Sequence, residues 1–346
     1  MALPSFDPNA AAAPDSGVFG LPYKAEDSKV VLVPVPFEAT TSYGGGTVDG
    51  PDAILEASKQ VDLFDLDTGR PYEAGIAMLD EPAEVRAWND EARAAAEPII
   101  ESGGADADPA ALAKVNALSE KMNDWVYRTT KHWLDQGKTV AVVGGDHSTP
   151  FGCIKAYAER YPELGVLHLD AHADLRDAYE GFTWSHASIM FNVLKHCPNV
   201  KRLVQVGIRD FGEAEYQLIR ESNGRVHTFF DARLSRARLD GMPWREQVDS
   251  IVGELPHHVY LSWDIDGLDP TLCPNTGTPV PGGLSFQQAV ALLEGLCRAG
   301  KRIVGFDLNE VSPGTDGTSE WDGNVGARLL YKMIGWTLVS QGVRTR

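Results

Sequence analysis

The sequence predicts a three-layer α/β protein, a mostly parallel sheet with helices on both faces. Two patterns carry this expectation. Short β-branched runs alternate with helical stretches along the chain, the order of a βαβ series. Most of the runs are continuously apolar, as strands buried on both faces are. A third observation bears on function. Acidic and histidine-rich motifs follow three of the runs, where open α/β sheets bind ligands.

Taken in order, the strand candidates are residues 30–35, 139–143, 165–169, 202–206, 226–230, 258–262 and 302–306. The helix candidates are 51–59, 109–136, 149–161, 244–253, 285–299 and 324–339. The second helix opens with Asp108 as N-cap and Pro109 at its first position. The helix after Ser285 has a capping-box start, with Gln288 three residues on. Residues 79–108, acidic and alanine-rich, read as an excursion from the core pattern. Residues 1–27, with Pro4, Pro8, Pro14 and alanines at 10–13, read as an irregular arm packed on a neighbouring subunit. Residues 28–346 read as one domain, and no repeat of 20–50 residues is visible.

Composition narrows the function classes. The chain has 346 residues, 43% of them hydrophobic, enough for a large core. A net charge of −18 argues against a nucleic-acid surface and suits a cationic substrate. No apolar stretch is long enough to span a membrane, and the opening residues lack a secretory pattern. Cys153, Cys197, Cys273 and Cys297 are scattered without a CxxC pair, as expected of reduced thiols in a cytoplasmic protein.

The motifs are GGDH (144–147), DAHAD (170–174) and SWDID (262–266). Alternate residues of an extended chain point the same way, about 6.5 Å apart. Asp170, His172 and Asp174 therefore converge, with Ala171 and Ala173 on the other side. Asp264 and Asp266 converge from another strand, and His147 ends the first motif. One DxHxD alone is equally a hydrogen-bonded turn. Three such motifs after strands favour metal. Six donors, four of them carboxylates, are too many for one ion and suit two, held roughly 3.5–4 Å apart. The histidines move the preference from Mg or Ca towards Mn, Fe, Co, Ni or Zn. Such a pair makes hydroxide near neutral pH.

At these residues the chain resembles the ureohydrolase superfamily of arginases, agmatinases, guanidinobutyrases and formiminoglutamases. GGDHS, DAHAD and SWDIDGLDP, in this order, carry the resemblance, which covers roughly residues 30–339. It implies the arginase/deacetylase-like fold, assembled as homotrimers or homohexamers. It implies that His147, Asp170, Asp174 and Asp264 bind one metal, and Asp170, His172, Asp264 and Asp266 the other. Asp170 and Asp264 would be the bridges. His186, twelve residues after DAHAD, matches the family's proton-shuttling histidine. Glu310 matches the glutamate that pairs with the substrate guanidinium. The implied reaction is attack of a metal-bridging hydroxide on the guanidinium carbon, with Asp174 or His186 delivering a proton to the leaving amine and urea released.

Arginases carry a short polar loop after DAHAD that residues 175–184 do not reproduce, so L-arginine is not expected. Residues 276–283 look like agmatinases. The long arm, residues 39–46 and residues 318–324 are similar to the branch that hydrolyses free guanidine with nickel. Trp184 and Trp321 either shrink the pocket for so small a cation or pack in the core or at a subunit contact. The resemblance thus implies free guanidine first, then agmatine or a guanidino acid, with Ni²⁺ ahead of Mn²⁺ and a metal-loading chaperone. A biguanide hydrolase acting on metformin, working with a paralogous subunit, and a non-catalytic subunit of a mixed oligomer are the alternatives. Other hydrolases on the same scaffold lack a use for Glu310. A phosphohydrolase would have only Arg176 and Arg209 as obvious phosphate partners.

Overall fold

The computed structural model describes residues 6–104 and 108–345. Pro4 and residues 105–107 of the acidic excursion lie outside the described residues. In chain order the elements are β1 (Val30–Val35), α1 (Gly50–Ser58), β2 (Ile76–Met78), α2 (Ala83–Glu101), α3 (Pro109–Asp135), β3 (Thr139–Gly144), α4 (Phe151–Arg160), β4 (Leu164–Leu169) and α5 (Ile189–His196). There follow β5 (Val200–Val206), α6 (Glu213–Glu221), β6 (Val226–Phe229), α7 (Asp231–Leu239), α8 (Trp244–Gly253), β7 (His258–Asp264), α9 (Phe286–Arg298), β8 (Arg302–Asn309) and α10 (Trp321–Ser340).

The eight strands form one sheet in the order β2-β1-β3-β8-β7-β4-β5-β6, every pair parallel. Helices cover both faces, because each strand sends alternate side chains to opposite sides. On β1, Val30 and Leu32 join the core on one face, and Val31, Val33 and Val35 join the core on the other. All residues of β1, β3 and β4 are buried. No helix among the described residues is long and apolar enough to cross a membrane.

The topology gathers the three motifs. β3 and β4 are consecutive in sequence, yet β8 and β7 lie between them. The carboxyl ends of β3, β8, β7 and β4 are level, with Val143 opposite Leu308, Asp264 opposite Asn309, and Leu169 opposite Trp263. This is the switch point of the sheet, where α/β proteins bind ligands.

Both predicted caps are present. Asp108 accepts from Ala110 N–H at 3.1 Å, and Ser285 and Gln288 form the reciprocal box. Two segments take a definite form. The excursion contains α2, 19 residues long, whose inward residues Ala92, Ala96 and Ile99 are mostly small and leave a weak apolar pattern. The second half of the arm packs on this chain itself. Val18, Phe19 and Leu21 are buried, Phe19 lies against Tyr331 of α10 with ring centroids 4.9 Å apart, and its amide donates to Ser58 Oγ at 2.8 Å. Replacing a buried phenylalanine by alanine costs about 3–5 kcal/mol. Phe19→Ala is thus expected to lower the denaturant midpoint clearly. An unchanged midpoint would show that the arm is not part of the folded core.

Candidate metal centre

The site rises from the four central strand ends. His147 follows β3 and is buried. Its Nδ1 lies 3.0 Å from Asp170 Oδ2 and 3.5 Å from Oδ2 of both Asp174 and Asp264. Its Nε2 lies 2.9 Å from Ser262 Oγ, whose hydroxyl donates to Asp307 Oδ1 at 3.0 Å. With that hydroxyl proton committed, Nε2–H of His147 is the donor, and Nδ1 is the nitrogen turned to the carboxylates, protonated in the metal-free chain and free to offer a lone pair to an ion. His172 Nδ1 lies 3.1 Å from Asp266 Oδ2 and 3.4 Å from Asp170 Oδ1.

These contacts form two adjoining donor sets that share Asp170, one oxygen on each side. His147, Asp174 and Asp264 complete the first, and His172 and Asp266 the second. Asp264 meets the first set through Oδ2, while its Oδ1 accepts from Asp266 N–H at 2.8 Å. The donors suit a pair of ions: imidazole and carboxylate, dense in negative charge and largely buried. Asp146 stands apart. Its Oδ1 accepts the amide and hydroxyl of Ser148 at 2.9 and 2.5 Å, and burial pushes its carboxyl up to about 7.

The backbone is forced into place. A Cβ on Gly145 would lie 2.1 Å from Phe37 O, so only glycine lets the chain turn there. Gly145 O accepts from Glu310 N–H at 2.8 Å. Asp174 and Glu310 hold left-handed backbone, φ 53° and 62°, a strain of about 1–3 kcal/mol each that gathers at functional sites. Glu310 is buried and its Oε1 accepts from His147 N–H at 2.8 Å.

A cavity of about 200 Å³ opens onto this cluster. It is lined by His172, Asp174 and His186, with Ser42, Arg176, Tyr179, Asp210, Phe211 and Thr278 around its mouth. His186 Nδ1 lies 3.4 Å from the hydroxyls of Thr40 and Ser185. Burial, aided by the charge of His172, pushes His186 down to about 4. The loops named in the sequence meet on the Glu310 side. Gly44 N–H donates to Gly277 O at 3.0 Å, Ser312 Oγ donates to Gly45 O at 3.2 Å, and a Cβ on Gly277 would lie 3.4 Å from Glu310 Oε2.

Neither tryptophan narrows this cavity. Trp184 packs on Phe151 and stacks on His196, and Trp321 is exposed, with Nε1 donating to Thr271 O. Arg209 donates to the carbonyls of Asp266, Leu268 and Val280, so it clamps the loop after β7 rather than awaiting an anion. His168, on β4, escaped the motif reading. Its Nε2 lies 2.9 Å from Asp170 Oδ2. Its signal was present as period-two spacing, since 168, 170, 172 and 174 read His, Asp, His, Asp.

Burial and mutual repulsion hold Asp174 and Asp264 well above the usual carboxylate range. Burial opposes a charge on His147 and His172, but the surrounding aspartates outweigh it and raise both. A group raised on folding stabilises fully at low pH, and that contribution is lost as pH rises. Above about pH 7 the lowered histidines His168 and His186 are neutral in folded and unfolded chain alike and no longer oppose the trend. Metal-stripped protein is expected to lose melting temperature from about pH 7 to about pH 9. A divalent ion at a hundredfold excess over its Kd should restore roughly 2.7 kcal/mol. No stabilisation by Ni²⁺ or Mn²⁺ across that range would remove the metal reading.

The arginase-family profile matches residues 28–335. The N(1)-aminopropylagmatine ureohydrolase of Thermus thermophilus is 36% identical over 323 residues, 92% of this chain and 94% of that protein. The agmatinase of Bacillus anthracis is 28% identical, covering 90% and 93%. The crystal structure of agmatine ureohydrolase from Thermoplasma volcanium superposes with a TM-score of 0.70 at 23% identity, covering 92% of this chain and 93% of that one. With an all-parallel eight-stranded sheet and its acidic cluster at the switch point, the chain belongs to the arginase family.

Proposed function

We propose that this chain hydrolyses a guanidino C–N bond and releases urea, with free guanidine as its first substrate and ammonia as the second product. Membership of the arginase family makes it a hydrolase acting on guanidino or amidino groups. The substrate class rests on Glu310. This carboxylate is 6% exposed, and the charges raising its pKa beyond the effect of burial are Asp264, Asp146 and Asp266. A buried anion among anions calls for a cation, and a guanidinium meets it with charge-assisted hydrogen bonds.

We assign one divalent ion to His147, Asp170, Asp174 and Asp264, and a second to Asp170, His172, Asp264 and Asp266, nickel ahead of manganese. When bound, the ions supply Lewis acidity and a water acidified towards neutral pH. The protein's own groups do the rest. Glu310 orients the guanidinium with its carbon towards the shared Asp170. Asp174, which lines the cavity beside the donor sets, would take up the proton released by the attacking water and pass it to the leaving nitrogen. His186 lines the same cavity, where its imidazole can relay a proton. Assembly as homotrimers or homohexamers belongs to the same reading.

The contact of the 39–46 loop with residues 277 and 312 supports a small substrate, because backbone walls the Glu310 end. A guanidino compound with a cationic tail is the second reading. It rests on Asp210, exposed at the cavity mouth, where it can meet a distal amine.

The test is urea release from guanidine, agmatine, aminopropylagmatine and guanidinobutyrate, with enzyme loaded separately with Ni²⁺ and Mn²⁺. Fast turnover of agmatine or aminopropylagmatine without urea from guanidine would replace the first substrate by the second. Glu310→Gln should retain both ions. Losing one partner of a buried charged pair costs about 2–5 kcal/mol, so kcat/KM should fall roughly 30- to 5,000-fold. Unchanged kcat/KM in that variant would rule out the guanidinium contact.

A further inference from the structure

Directly beneath the metal cluster a polar rung crosses the sheet. Asp307, Ser262, His168, Gln205 and Thr228 lie on five adjacent strands, each in register with the next. All are buried. On β8, β7 and β4 each stands two residues before a residue of the level above, namely Asn309, Asp264 and Asp170. Their side chains therefore share a face with the cluster.

The hydrogen bonds of this rung have fixed directions. Thr228 Oγ1 donates to Gln205 Oε1 at 2.8 Å. The amide nitrogen of Gln205 then faces the other way, donating to Ala173 O at 2.7 Å and to His168 Nδ1 at 3.0 Å. His168 Nδ1 is thus an acceptor, and the ring's one proton sits on Nε2. That proton points at Asp170 Oδ2, 2.9 Å away. Both ring nitrogens are committed, so His168 is no metal ligand, although it sits among candidate donors.

We infer that His168 is a positioning residue. Through Gln205 and Thr228 it holds Asp170 Oδ2 towards His147, while Oδ1, which accepts from His172 N–H at 2.5 Å, faces the imidazole of His172, so that one carboxylate would serve both ions. This rests on the metal-pair reading above. Loss of such an outer partner commonly costs roughly 10- to 100-fold in metal affinity.

The experiment uses full-length protein, metal-stripped and titrated with Mn²⁺. Bound ions are counted by elemental analysis, and coupling between them is read by electron paramagnetic resonance. His168→Leu should weaken binding of one ion roughly 10- to 100-fold and weaken the exchange-coupled signal. His168→Gln returns an N–H near the Nε2 position and should restore both, at an equal metal-free melting temperature. Thr228→Val lies two partners from Asp170 and frees the Gln205 amide to turn. It should shift the same signal in the same direction, and it carries the test should His168→Leu fail to fold. A wild-type signal and affinity in both His168→Leu and Thr228→Val overturn the inference. So does equal loss in the Leu and Gln variants together with lowered metal-free melting temperatures, which marks a packing role. Wild-type protein that binds fewer than two ions sinks the metal-pair reading itself, an outcome distinct from either.

Discussion

Negative charge packed into the carboxyl end of a buried sheet is the constraint on which the rest of this protein depends. Asp170, Asp174, Asp264, Asp266 and Glu310 are each at most 6% exposed. Desolvating that many carboxylates is costly, and attraction to a partner repays it only with close geometry. Two histidines and several backbone amides offset part of the cost. The remainder suits the site to cations, and the proposed reading puts ions at the aspartates and a guanidinium at Glu310. The strain at Asp174 and Glu310 and the glycine at 145 follow from bringing these groups within a few ångströms while four strands stay paired.

The parts legible in the sequence are those governed by local pattern. Seven strand runs were visible because strands covered on both faces are continuously apolar. The motifs were visible because their polar residues break those runs at the carboxyl ends. β2, with three residues, is too short to show a pattern. α5, α6 and α7 have eight or nine residues each, little more than two turns. α2 was hidden by alanine packing and by Pro98 within it. Trp184 and Trp321 illustrate a further limit. Their motifs left two places open, the pocket wall or a packing contact, because which way a side chain faces is set by tertiary neighbours.

The roles of Arg209 and His168 were not legible for a related reason. An arginine beside a metal motif looks like an anion receptor until the carbonyls that occupy it are seen. A histidine inside an apolar strand looks like a filled core position until the next strand is seen to carry Gln205. Neither partner is close in sequence. The strand order supplies both, by placing β5 against β4 and bringing the loop after β7 under Arg209.

Strand order also fixes chemistry. The side-chain period of a strand is two, so a slip of one residue would send the ligands of β4 to the opposite face. The polar rung below the cluster makes such a slip doubly unfavourable. It would bury Gln205 and Ser262 without partners and remove Asp307 from the hydroxyl that orders His147. Hydrogen bonds that set the imidazole of His147 and the carboxylate of Asp170 therefore also pin the register of the strands carrying them. In this sheet the same five side chains pin where the strands lie and how the carboxylate of Asp170 and the imidazole of His147 are turned, so the geometry of the cluster and the register of the fold are one requirement.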